Sequence, residues 1–118
     1  MSRKNYFKRF EEWCPCCHSG GLVPDFRDKL NHAREIAGVP FVLNSAFRCS
    51  AHNAEVGGSE TSSHLAGLAV DIKCSDSRTR WIVIDALKQA GFNRIGIGKT
   101  FIHVDDDLTK PQGVVWLY

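Results

Sequence analysis

Residues 67–74, GLAVDIKC, alternate without a break: Leu68, Val70 and Ile72 fall on one face and Ala69, Asp71 and Lys73 on the other. Such a run is a strand with one buried face, and a register slip of one residue would carry Asp71 into the core. Three further runs of strand character follow, RIGIG (94–98), TFIHVD (100–105) and GVVWLY (113–118), joined only by Gly98-Lys99 and by DDLTKPQ. Links that short connect antiparallel neighbours, because a parallel pair needs a crossover of a dozen residues or more. Two helices stand out. Pro24 opens PDFRDKLNHAREIAG, where Phe26, Leu30, His32, Ala33 and Ile36 fall near one face and Gly38 sits at the stop. His32 reads as a packed or surface histidine. Asp76 or Ser77 caps RTRWIVIDALKQAGF, and Gly91 closes it. FKRFEEW spaces Phe7, Phe10 and Trp13 as a short helical face, PFVLNSAF reads as a strand over 41–45, and AHNAEVGG as a turn or two of helix ending at Gly57 and Gly58. The order predicts an α+β fold, a small antiparallel sheet with helices packed to one side.

The 118 residues are expected to form a single domain, 1–118, around one hydrophobic core. A net charge of +2, no basic run longer than SRK and no aromatic residues interleaved with Lys or Arg argue against nucleic acid as a partner. No apolar stretch has the length of a membrane span or of a signal peptide. The expectation is synthesis in a cytoplasm without a signal peptide, as a soluble monomer.

Five cysteines are an odd number, and three crowd into CPCCH as Cys14, Cys16 and Cys17 beside His18. Cys14 and Cys17 have the spacing of half a structural zinc site, which His18, Cys49 or Cys74 could complete. With no second C-x-x-C, the favoured reading is a set of reduced, partly buried thiols.

The remaining chemistry lies in SSHLAGLAVDIKC and FIHVDDD. His64 and Asp71 are common zinc ligands, and His103 supplies a third, leaving a position open for water as a catalytic zinc requires. In a strand His103 and Asp105 share a face. The stretches SAFRCSAHNAEVGGSETSSHLAGLAVDI and IGIGKTFIHVD together resemble the M15 family of zinc peptidases. S-x-H-x(6)-D followed by H-x-D is specific in combination, and the likeness runs from about Cys14 to the closing VVWLY.

The resemblance implies a fold like that of the D-Ala-D-Ala peptidases and the hedgehog domain, with one catalytic zinc on His64, Asp71 and His103. Arg48 matches the arginine that faces substrate in the family's S-G-Y-R motif, where a guanidinium grips a carboxylate or polarises the scissile carbonyl. Ser62 falls on the serine of S-x-H and could hydrogen-bond substrate or a ligand, while Ser63 reads as a loop residue. Many relatives carry an acid three residues before the last histidine as general base, and here that position is Thr100. Asp105 is the candidate base, or equally an acceptor that orients His103; Glu60 is a third acid to consider. The implied activity is zinc-dependent hydrolysis of peptide bonds in peptidoglycan stem peptides, by a carboxypeptidase or endopeptidase. It would act on the cell wall after release at phage or prophage lysis, in cell-wall remodelling, or as part of a phage particle. The alternative is a non-catalytic, zinc-containing module that binds cell wall.

Overall fold

The computed structural model describes residues 4–118. The chain runs α1 (Arg9–Glu12), α2 (Pro24–Ala37), β1 (Leu43–Ser45), α3 (Ser50–Glu55), a 3-10 turn (Ser63–Ala66), β2 (Ala69–Lys73), α4 (Ser77–Gln89), β3 (Arg94–Ile97), β4 (Phe101–Asp105) and β5 (Val114–Leu117). Among the described residues no helix is long and apolar enough to cross a membrane.

The two long helices stop and start where their sequence signals lie. Pro24 occupies the first turn of α2, where a missing N–H leaves no bond unmade. Gly38 ends the helix in the left-handed region at φ 67°, donating its N–H to Arg34 O. Asp76 caps α4 by accepting the Thr79 N–H at 2.9 Å. Phe26, Leu30 and Ala33 of α2 and Val83, Ala86 and Leu87 of α4 are buried, and Phe26 meets Phe92 edge-on at 5.7 Å. Burying a side chain of the size of Phe26, Leu30 or Leu87 stabilises by roughly 1.5–3 kcal/mol, so this seam holds the helical layer together.

The N-terminal segment departs from the aromatic face expected there. Helix α1 is a single turn, Phe7 precedes it and is buried, and Phe10 is 60% exposed. Polar contacts fix this segment instead. Buried Glu12 takes a forked grip from Arg27 of α2, with Nη2 at 2.7 Å, and accepts the Leu22 N–H. The strand expected over 41–45 shortens to Leu43–Ser45; Phe41 joins the core and Val42 is exposed.

The sheet has the order β1-β2-β4-β3-β5. The α+β class is as expected, but the sheet is mixed: β5 runs parallel to β3, while the other pairs are antiparallel. The reason is occupancy. Both flanks of β4 are already filled, by β2 and β3, so the chain reversing after β4 lands beyond β3, where its direction matches that of β3. The 106–113 connection therefore passes the end of β3, and Arg94 at that end donates from Nη1 to Pro111 O at 2.6 Å.

Each strand divides its side chains between two faces. Val70, Ile72, Ile95, Ile102 and Val104 enter the hydrophobic core with the residues of α2 and α4. On the opposite face one row crosses four strands in register: Asp71 opposite His103, His103 opposite Gly96, and Gly96 beside Trp116. A Cβ on Gly96 would lie 2.7 Å from the rings of both Trp116 and Tyr118. The missing side chain lets Trp116 lean toward His103, with ring centroids 5.5 Å apart.

The 3-10 turn is held at its far end by Gly67, at φ +70°, whose carbonyl accepts the Val23 N–H at the start of α2. A Cβ there would come within 2.5 Å of Gly21 O, a backbone atom that does not swing aside. Gly67→Ala is expected to destabilise the fold by about 1–3 kcal/mol through backbone strain, with the clash adding to it. Denaturant unfolding checks this, and an unchanged midpoint would contradict the close approach.

Candidate metal centre

Asp71 and His103 meet because β2 and β4 pair them directly across the ladder, with His103 Nδ1 2.9 Å from Asp71 Oδ1. His64 arrives from outside the sheet. Ser62 caps the 3-10 turn by accepting the His64 N–H at 3.2 Å, and the turn brings His64 Nε2 to 3.4 Å from Asp71 Oδ1. His64 and His103 are buried and Asp71 is partly so. The three side chains form a group whose ligand atoms all lie within 4.8 Å of one another.

The far nitrogens decide what the near ones can do. His64 Nδ1 lies 2.7 Å from Ala46 O, and a carbonyl only accepts, so that nitrogen carries the hydrogen. The register shift between Leu43 and Ser45 on β1 comes just before Ala46. His103 Nε2 lies 2.7 Å from Asp105 Oδ2, again an acceptor. In the neutral tautomers so fixed, His64 Nε2 and His103 Nδ1 both turn lone pairs toward the Asp71 carboxylate. That convergence is repulsive until a positive charge sits in its midst. A tetrahedral ion with bonds of about 2.0–2.1 Å keeps its ligand atoms about 3.3–3.4 Å apart; His64 Nε2 already stands at that distance from Asp71 Oδ1, and His103 Nδ1 within about half an ångström of it. The residues present fit a zinc ion.

Electrostatics point the same way. Burial works to raise the Asp71 carboxyl, but hydrogen bonds and charge from the two imidazoles in their doubly protonated form outweigh it and hold its pKa well below the usual carboxylate range, so that ring protons stand where a cation would sit. Burial likewise works against a charged His103, yet Asp105 and Asp71 raise its pKa above the ordinary histidine value. The cluster favours added positive charge at its centre.

Asp105 is buried with both oxygens engaged. Oδ2 faces His103 Nε2, while Oδ1 accepts from Arg94 Nε at 2.6 Å and from the Asp107 N–H at 3.1 Å. Thr100 is exposed in the turn before β4, its carbonyl taking the Cys74 N–H. Glu60 is exposed and lines a neighbouring cavity with Ser50, Asn53 and Leu65.

The three ligand-type side chains floor an open cleft of about 360 Å³. Arg48 walls it, tied to the 3-10 turn by its own N–H to His64 O at 3.2 Å. Its Nε is buried without a hydrogen-bond partner, a donor awaiting an acceptor. Gly58 makes room for it, since a Cβ there would lie 2.9 Å from Arg48 Nη1. Ser62 also lines the cleft.

Sequence reasoning missed several lining residues. Ser63, read as a loop residue, is buried and donates to Asp107 Oδ2 at 2.8 Å while accepting from Lys110 Nζ at 2.9 Å. This clamps the 3-10 turn to the 106–113 connection and sets Lys110 at the rim. Asp107 is lowered to about 2: burial opposes ionisation, but hydrogen bonds from Thr109 and Ser63 outweigh it. Arg94, Trp116 and Tyr118 complete the wall, with the Arg94 guanidinium 4.9 Å from the Trp116 ring centre. The alternation of GVVWLY carried the signal for Trp116 and Tyr118, which stand two residues apart on one face.

All five cysteines are free thiols, with Cys14 and Cys74 buried. Cys14, Cys16, Cys17 and Cys49 form a second close group, and neither His18 nor Cys74 belongs to it.

The peptidase M15 family model matches residues 3–105, which spans every residue of the cluster, and the chain belongs to that family. Among curated proteins, none matches. M15 peptidases are zinc-dependent, in agreement with the donor set just described.

His64→Ala and His103→Ala are each expected to abolish tight zinc binding at this site, because two protein ligands hold zinc far more weakly than three. Metal analysis after dialysis reads the loss, and full retention of zinc by either variant would contradict the assignment.

Proposed function

We propose that this chain is a zinc-dependent peptidase that hydrolyses peptide bonds in peptidoglycan stem peptides, next to a D-amino acid. The observation that carries the reading is the convergence of His64 Nε2, His103 Nδ1 and Asp71 Oδ1 at the floor of an open cleft, beneath an arginine whose Nε has no partner. A zinc ion bound there supplies a Lewis acid and an activated water.

The chain's own residues then have separable tasks. Ala46 O and Asp105 fix the tautomers of the two histidines, and Arg94 fixes Asp105. Arg48 offers a planar donor to the charge that develops on a scissile carbonyl, or to a terminal carboxylate of the substrate. Trp116 and Tyr118 give the cleft an aromatic wall, and Lys110 a second cation at its rim. Of the two roles left open for Asp105, the engagement of both its oxygens favours orienting His103. We place the action at the cell wall, reached at phage or prophage lysis.

The deciding experiment incubates the zinc-loaded protein with purified peptidoglycan and reads the products by mass spectrometry. New peptide ends beside a D-residue are expected. Bound zinc with unchanged peptidoglycan would instead identify a binding module.

Arg48→Lys is expected to keep fold and zinc yet lower kcat/KM by roughly 100-fold or more, since lysine keeps the charge but loses the planar grip. Normal turnover would remove Arg48 from the mechanism. Asp105→Asn should weaken zinc binding by roughly 10–100-fold, with the rate recovering in excess metal. A rate that stays low at saturating zinc would make Asp105 the base instead.

A further inference from the structure

We propose that Cys14, Cys16, Cys17 and Cys49 form a second zinc site, closed by four thiolates and structural in role. The Sγ atoms of Cys14, Cys16 and Cys49 stand 3.2–3.5 Å apart, and that of Cys17 completes a group within 4.8 Å. A disulfide requires about 2.05 Å between sulfurs. A tetrahedral ion with zinc–sulfur bonds of about 2.3 Å spaces its sulfurs about 3.8 Å apart. The observed separations are too long for the first arrangement and lie nearer the second, which the ion's own bonds would open slightly.

The backbone is shaped to aim three thiols at one point. Cys14 O accepts the His18 N–H at 2.8 Å, and the Cys14 N–H donates to Ser19 O at 2.9 Å, closing the CPCC segment into a tight turn. His18 takes φ 54°, the one non-glycine residue with positive φ among those described. A histidine there costs backbone strain that a flexible surface loop would not keep. The fourth sulfur comes from the loop preceding α3, where Cys49 Sγ accepts the His52 N–H at 3.4 Å.

An ion here joins two segments with few other ties. Between residues 4 and 22 the buried apolar side chains are Phe7, Cys14 and Leu22. Cys49 adjoins Arg48, and Phe47 donates its N–H to Glu12 O at 3.1 Å. Four thiolates leave no position for water or substrate, so the ion's work is to anchor the loop that carries Arg48.

The test uses the full chain carrying both His64→Ala and His103→Ala, with the wild type beside it. After zinc loading and dialysis, two equivalents of zinc are expected in the wild type and one in the double variant. Adding Cys17→Ser and Cys49→Ser should remove that remaining equivalent. Cobalt substitution should give the thiolate-to-cobalt charge-transfer band and tetrahedral visible bands in both proteins, so the wild type still decides if the double variant does not fold. Thiol titration of the zinc-loaded wild type should leave the four cysteines protected until a chelator is added. Cobalt loading without a thiolate band, or an intact mass lower by the two hydrogens of a disulfide, would overturn the proposal. Because the variants separate the two sites, failure here leaves the His64–Asp71–His103 reading standing, and the reverse also holds.

Discussion

The pairing of β2 with β4 is the constraint on which the rest depends. Its register sets Asp71 opposite His103 on one face and Val70 and Ile72 opposite Val104 and Ile102 on the other. Side chains in a strand alternate, so these two facts cannot be varied separately. A slip of one residue would bury a carboxylate among the helices and expose the core to water. The apolar layer of α2 and α4 thus enforces the geometry of the polar face without touching it. Gly96 and Trp116 extend the same row, and the sheet's far edge becomes a wall of the cleft.

The elements outside the sheet bring the other half of the site, and they do so with polar contacts. His64 is aimed by Ser62 and Ala46, and Arg48 is tethered through its backbone to His64 O. The buried Arg94–Asp105 pair holds His103 from behind. Removing two charges from water costs several kcal/mol per ion, which their attraction barely repays. The pair is therefore poorly explained as a stabilising device. Its consequence is positional: Asp105 cannot rotate away from His103 while Arg94 and the Asp107 N–H hold its other oxygen.

Much of this was legible in the sequence, because the signals were local. Strict alternation in GLAVDIKC identified β2 and its faces, and Pro24, Gly38 and Asp76 marked helix ends by rules spanning a few residues. The H-x(6)-D and H-x-D spacings gathered the three ligand-type residues because adjacent strands pair Asp71 with His103 and the 3-10 turn just before β2 brings in His64. What stayed hidden depends on contacts distant in sequence. The direction of β5 follows from which sheet edge is free, which short links do not reveal. Ser63 is clamped by Asp107, 44 residues away. Cys49 is one of three candidates to complete the Cys14 and Cys17 pair, and only the approach of its loop to a turn 35 residues before it singles it out. The Phe7, Phe10 and Trp13 spacing failed because Glu12 and Arg27 set the path of that segment.

The central claim is that two strands and one 3-10 turn converge on a single metal ion. An anomalous difference map at the zinc edge, from crystals of the zinc-loaded protein, addresses it directly. The account predicts a peak bonded to His64 Nε2, the Asp71 carboxylate and His103 Nδ1, at the floor of the cleft beside Arg48. Zinc confined to the cysteine cluster, with no peak between His64, Asp71 and His103, would contradict it.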